Sequence, residues 1–120
     1  MSWKITSDRP VYLQLAEEIE LRIVSGEYPP GSRLLGVREF AADAVVNPNT
    51  MQKAFSELER QGLVYAQRTA GRYVTDDTVL ISNRQSQLLK SVTKEYLAKL
   101  KRLGVSPDTA AELLKVGDIE

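Results

Sequence analysis

Cysteine and histidine are both absent from this 120-residue chain. The first absence removes disulfides and thiolate chemistry, and it fits a reducing compartment. The second removes the usual general base and the commonest imidazole metal ligands. Any enzyme built here would have to rest on Asp, Glu, Lys, Tyr, Ser or Thr. The carboxylates stand mostly at helix-surface spacings beside Lys and Arg, and no metal-ligand cluster emerges. Catalysis is therefore the weakest reading, and no cofactor is expected. Long apolar runs are missing too: none approaches the roughly 20 residues of a membrane span. The opening M-S-W-K-I-T-S-D lacks the apolar centre of a secretory signal. A cytoplasmic protein with no membrane partner is expected. Nor does charge of one sign dominate, with 16 basic and 16 acidic residues.

An apolar fraction of 42% is that of a folded protein, and 120 residues hold one domain plus an appendage. Overall neutrality conceals a cation-rich segment. Residues 1–50 carry five basic and seven acidic side chains, residues 51–75 four basic (Lys53, Arg60, Arg68, Arg72) and two acidic, and residues 76–120 seven of each. A neutral protein can still bind DNA where one face gathers its cations.

A first helix is predicted over about residues 10–25. Tyr12, Leu15, Ala16, Ile19 and Ile23 recur there at three- and four-residue steps, while Glu17, Glu18 and Arg22 face outward. Asp8 or Arg9 stands at its mouth, Pro10 is tolerated in its first turn, and Gly26 ends it. Glu27-Tyr28-Pro29-Pro30-Gly31 then forces a turn. Residues 33–35 suit a very short strand. A second helix over about 37–44 follows, with Phe40, Ala41, Ala44 and Val45 on its buried side.

The third helix has the clearest ends. Asn47 is a strong N-cap, and Pro48 takes the first helical position, where its missing N–H costs nothing. Met51, Ala54, Phe55 and Leu58 form one apolar face; Asn49, Thr50, Gln52, Lys53 and Ser56 are left on or beside the exposed one. Gly62 suits the left-handed residue after a helix, with Leu63 as its apolar partner. Residues 63–67 and 72–75 read as a hairpin turning at Thr69 to Gly71. Asp76-Asp77-Thr78 reads as a boundary. A long helix over about 81–103 follows, striped by Leu88, Leu89, Val92, Tyr96, Leu100 and Leu103. Gly104-Val105 ends it, and Ser106-Pro107 starts a short helix carrying Ala110, Leu113 and Leu114.

These elements predict a mainly α fold with a small β-hairpin. A winged helix-turn-helix domain over residues 1–77 is followed by a two-helix dimerisation tail over residues 78–120. In such a domain the second helix crosses the DNA backbone, the third enters the major groove, and the hairpin is the wing. Asn and Gln pair with adenine, and Lys or Arg with guanine or phosphate. The plainer alternative for the third helix is a solvated face with good caps.

Residues 10–75 resemble the DNA-binding domain of the GntR family of bacterial transcription regulators. Pro10, Tyr12, Gln14, Leu15, Gly26, Pro30, Gly31 and Leu34 carry the first half of the resemblance. Arg38, Ala41, Asn47, Thr50, Ala54, Leu58, Gly62, Leu63, Val64, Gly71, Tyr73 and Val74 carry the second. The run Val46-Asn47-Pro48-Asn49-Thr50 and the short tail are similar to the YtrA-like subfamily, in which a small helical dimerisation module replaces a large effector domain. Two positions depart from the family pattern: Leu34-Leu35-Gly36 stands where Leu-Pro-Ser is usual, and Thr69 where the wing has a second glycine.

The resemblance implies a sequence-specific repressor on a palindromic operator with G-T and A-C arms, and target genes for membrane transporters. It implies contact of Arg38 with a guanine edge and adjacent phosphate, against the alternative of a surface ion pair with Glu39 or another nearby acid. Asn47 would cap and touch phosphate. Asn49 and Gln52 would read bases or be solvated, and Thr50 and Lys53 would meet phosphates. Gly71 would let the wing approach the minor groove, with Arg72 beside it entering the groove.

The tail stripe has too little covering mass in one subunit, so a two-fold homodimer is expected. About forty residues are too few to enclose a metabolite, since pockets run to roughly 300–1,000 Å³. No large effector pocket is expected. The reading of a different class is a winged-helix protein-interaction module without DNA binding.

Overall fold

The computed structural model describes residues 2–67 and 71–116. The elements run α1 (Val11–Val24), α2 (Val37–Ala44), α3 (Pro48–Arg60), β1 (Val64–Gln67), β2 (Gly71–Val74), α4 (Thr78–Leu103) and α5 (Pro107–Val116). Two compact units divide the chain, Met1–Arg84 and Gln85–Glu120.

In the first unit α3 is the hub: it packs against α1 and α2 and meets β1. Its ends are built as its sequence requires. Asn47 Oδ1 accepts the Asn49 N–H at 2.7 Å. At the other end Gly62 takes φ 79°, which a side chain would resist. That turn aims the Gly62 N–H at the Glu59 carbonyl (3.0 Å) and the Leu63 N–H at the Leu58 carbonyl (3.1 Å), so the helix closes without orphaned groups. Between the caps Met51, Ala54, Phe55 and Leu58 are fully buried, with Leu15, Ile19 and Ile23 of α1, Phe40 of α2, and Leu63 and Val74 of the hairpin. Each large apolar side chain so buried contributes about 1.5–3 kcal/mol.

The hairpin is antiparallel, with Val64 opposite Val74, Tyr65 opposite Tyr73, Ala66 opposite Arg72 and Gln67 opposite Gly71. Val64 and Val74 are buried. Strand alternation therefore turns Ala66 and Arg72 toward the core side, and Tyr65, Tyr73 and Gln67 away from it. The two tyrosine rings stack with centroids 5.8 Å apart. The strand expected at residues 33–35 is a single bridge, Arg33 to Tyr73. It is flanked by the Leu34 N–H to Arg72 carbonyl bond and the Val74 N–H to Ser32 carbonyl bond, both 2.9 Å. The turn expected at Thr69 lies outside the described residues, and β2 already includes Gly71.

Four expectations need correction. Arg22 does not face outward: it is 4% exposed, with its guanidinium carbon 4.3 Å from the Trp3 ring centroid and its Nε bonded to Glu18 at 2.8 Å, a paired charge that can be buried. Val45 is not on the buried side of α2: it is 87% exposed at φ 57°. The helix stops at Ala44, and the left-handed turn swings Val45 out, a conformation costly for a β-branched residue. Neither Asp8 nor Arg9 caps α1. Pro10 holds that position without a side-chain bond, while Asp8 accepts the Thr6 hydroxyl and Arg9 pairs with Glu17 at 2.8 Å. Finally, α4 starts at Thr78 rather than near 81. Asp77 is its N-cap, accepting the Leu80 N–H at 3.0 Å, so the acidic pair opens the helix.

In the second unit α4 closes at Gly104, where the Val105 N–H reaches the Leu100 carbonyl at 3.0 Å. Ser106 Oγ then accepts the Thr109 N–H at 3.2 Å and starts α5. Leu100 and Ala110 are its buried apolar residues among those described, whereas Leu89, Val92, Tyr96, Leu97, Leu103, Leu113 and Leu114 are exposed.

One consequence is a pH dependence. Hydrogen bonds from Arg60 and then Gln61 hold the Glu57 carboxyl down at about 2, against an ordinary 4.5. A hydrogen bond from Arg9 likewise lowers Glu17. Carboxylates depressed in the folded state contribute stability that is present above their unfolded value and lost as pH falls through the folded one. Thermal stability should thus hold from neutral pH down to about 4.5 and decline toward about 2. A melting series across that window checks it, and an unchanged midpoint at pH 2.5 would contradict the two pairings.

Candidate nucleic-acid interface

The exposed side of α3 is set by what its other side buries. With Met51, Ala54, Phe55 and Leu58 inward, Asn49, Gln52, Lys53 and Ser56 fall on the opposite face at three- and four-residue steps. Asn47, Asn49, Gln52 and Lys53 are exposed and Thr50 is half-buried. The Asn47 side-chain oxygen is occupied by capping. The side-chain amides of Asn49 and Gln52 have no hydrogen-bond partner among the described residues. The Lys53 ammonium lies 4.2 Å from the centroid of the Tyr12 ring. Such a contact is worth roughly 0.5–1 kcal/mol at an exposed site, and it holds a flexible cation in place on the face.

Arg38 is the second residue of α2 and is exposed. The alternative ion pair with Glu39 is not formed. Glu39 Oε1 instead accepts the Gly36 N–H at 3.3 Å, half of a capping box whose other half Gly36 has no side chain to supply. Arg38 makes no hydrogen bond or ion pair among the described residues. Its helix is fixed from below by Phe40, whose ring centroid is 5.5 Å from that of Phe55 on α3.

The hairpin distributes its cations less simply. Gly71 opens β2 at φ 90°. Arg72 points inward: its Nε meets Glu59 Oε1 at 2.6 Å, and its guanidinium carbon lies 5.2 Å from the Phe55 ring centroid. The structure therefore brings Asn49, Thr50, Gln52 and Lys53 onto one helix with Arg38 on the helix packed beside it, and it commits Arg72 to α3.

The sequence model described as "Bacterial regulatory proteins, gntR family" matches residues 11–74. The chain belongs to that family. An uncharacterised helix-turn-helix-type transcriptional regulator of Bacillus subtilis, YhcF, is 34% identical over 96% of this chain and 95% of its own length. The helix-turn-helix-type transcriptional repressor YtrA of the same organism is 31% identical over 91% of this chain and 85% of its own. A GntR family transcriptional regulator from Listeria monocytogenes superposes with a TM-score of 0.84 at 32% identity, covering 97% and 100% of the two chains. The DNA-binding domain of AraR, solved in complex with operator ORR3, matches with a TM-score of 0.53 at 27% identity over 62% of this chain and 93% of that one.

This GntR-family chain is thus a DNA-binding transcriptional regulator of the helix-turn-helix type and not an enzyme. Among its described residues no helix is long and apolar enough to cross a membrane. Of the tail residues, Leu89, Val92, Tyr96 and Leu103 are exposed, Leu88 is half-buried, and Leu100 is 8% exposed within its own chain. An open groove of about 540 Å³ lies on the first unit, lined by Tyr28, Arg33, Gly36, Val37 and Gly71 among others. Arg33 was not singled out from the sequence. Its one signal was placement just before Leu34 in the short extended stretch, which pairs with the hairpin.

Proposed function

We propose that this regulator is a homodimeric, cytoplasmic repressor that occupies a palindromic operator. Each subunit sets α3 in one major-groove segment, and residues 78–120 hold the two subunits together. The observation that carries the reading is the exposed face of α3, where Asn49 and Gln52 amides, unpartnered among the described residues, stand beside Lys53 and near the second helix bearing an Arg38 likewise without a partner there. Buried polar groups would have found partners; these are exposed and available to base edges. Thr50, Asn47 and the wing backbone at Gly71 complete the DNA-facing set, while the Arg72 side chain is held by Glu59 at 2.6 Å. Support also comes from the name of YtrA as a repressor and from the operator complex of AraR. The exposed leucines, Val92 and Tyr96 of the tail support self-association.

Selection of bound sites from random duplex DNA tests the reading, and an enriched palindrome is expected. Failure to enrich any sequence, with binding insensitive to salt, would favour a protein-docking winged helix instead. Against the selected site, Arg38→Ala should cost about 1–3 kcal/mol and flatten the preference at one base pair per half-site. Arg38→Lys should rescue poorly, because lysine lacks the planar fork. Full affinity in a folded Arg38→Ala protein would remove Arg38 from the interface.

A further inference from the structure

The residue next to the wing glycine in sequence is not the cation nearest solvent there. Arg72 is tied to Glu59 at 2.6 Å and lies against Phe55; to reach a phosphate it would have to give up both. Arg33 is in the opposite situation. It is exposed, and it makes no hydrogen bond or ion pair among the described residues. Its backbone is fixed by the bridge to Tyr73, so its side chain rises on the outward face of the hairpin with Tyr73 and Tyr65. From there the guanidinium lies across Gly71. A Cβ at Gly71 would sit 3.4 Å from Arg33 Nε and 3.5 Å from Nη2, ordinary contact distances, so the guanidinium packs directly over the start of β2.

We propose that, among the described residues, Arg33 rather than Arg72 is the cation with which the wing side of the domain holds a DNA phosphodiester. The inference rests on the DNA-binding reading above. Arg33, Val37 and Arg72 all line the groove of about 540 Å³ between the start of α2 and the start of β2, with Arg72 held by Glu59 there, and Arg38 follows Val37 directly. A sugar-phosphate strand passing that groove meets Arg33 on the wing side and Arg38 on the helix side. The acid lining it, Glu39, accepts the Gly36 N–H at 3.3 Å and forms no ion pair with Arg33 among the described residues. A guanidinium presents a planar fork of donors that matches a phosphate's two oxygens. Gly71 is required for its φ of 90°, and Arg33 packs over it.

The test is the salt dependence of binding to a mixed-sequence duplex of about thirty base pairs, since backbone contacts need no operator. Neutralising one phosphate contact lowers the slope of log K against log salt by about 0.9. Arg33→Gln should show that loss once per subunit, about 1.8 for the dimer. The affinity advantage of wild type over the variant should then shrink roughly 12-fold between about 50 and 200 mM salt. Arg33→Lys should keep the wild-type slope. Arg72→Gln should also keep it while melting at lower temperature, because it strands Glu59. A wild-type slope in Arg33→Gln, or the loss appearing in Arg72→Gln instead, would overturn the assignment to Arg33 alone. A wild type with no salt-dependent binding to duplex DNA would overturn the DNA-binding reading, and Arg33's role with it.

Discussion

Replacing Val92 and Tyr96 together with glutamate should turn the regulator into a monomer and lower its affinity for a full operator by about 10²–10⁴-fold. The magnitude comes from linkage. Two half-site contacts held in one dimer exceed either alone by roughly that factor when the geometry lets both engage. Val92 and Tyr96 are one turn apart near the middle of α4, 62% and 42% exposed, so the exchange disturbs little within the subunit. Glutamate is a good helix former, and the like-charge cost at this spacing is only about 0.2–0.5 kcal/mol. In a two-fold interface each change acts twice, placing four carboxylates in an apolar seam. Leu100 belongs to the same stripe but is the wrong probe: at 8% exposure its replacement would unfold its own unit before reporting on a partner. Light scattering should give a monomer, circular dichroism an unchanged helix content, and an isolated half-site wild-type binding. A variant that stays dimeric, or that is monomeric yet holds the full operator at wild-type affinity, would show that dimerisation does not run through this stripe.

The sequence made the helices legible because their ends are chemically marked. Asn47-Pro48 and Gly62-Leu63 bracket α3, and the structure shows the bonds those residues make. Ser106-Pro107 does the same for α5. Where a marker was misread, the boundary moved: Asp77 looked like linker composition, yet one acceptor oxygen on the Leu80 N–H makes it the first residue of a cap. Val45 was missed for a different reason. Helical periodicity assigns a face only while the helix continues, and α2 ends one residue earlier.

The wing was the least legible region because a strand's faces depend on its register. Charge composition marked Arg72 as available, but the buried Val74 two residues later places it on the inward face. That inference was open to the sequence once Val74 was taken as core. The position of Arg33 was not, since its bridge to Tyr73 joins segments forty residues apart. Its packing over Gly71 is visible only when the two are brought together.

The second large effect should come from Phe40. Phe40→Ala should destabilise the first unit by about 3–5 kcal/mol, the usual range for a fully buried phenylalanine. Its ring is 0% exposed and meets three others, with centroids at 5.5 Å to Phe55, 6.1 Å to Trp3 and 6.2 Å to Tyr28. Removing it opens a cavity where α2, α3 and the N-terminal segment converge. In a unit of this size about 1 kcal/mol moves the melting midpoint by about 4–8 °C, so a fall of about 12–40 °C is expected. The loss is also functional. α2 has eight residues, too few to be stable without packing, and it carries Arg38 two positions before Phe40. Operator affinity should therefore fall below that of Arg38→Ala even at temperatures where most molecules remain folded. Trp3 is the only tryptophan, and its indole N–H is bonded to Asp43 on α2 at 2.6 Å, so its emission should shift to the red as that helix loosens. A Phe40→Ala protein that melted within a few degrees of wild type, with unshifted emission and full operator binding, would mean that α2 is held in place by something other than this aromatic cluster.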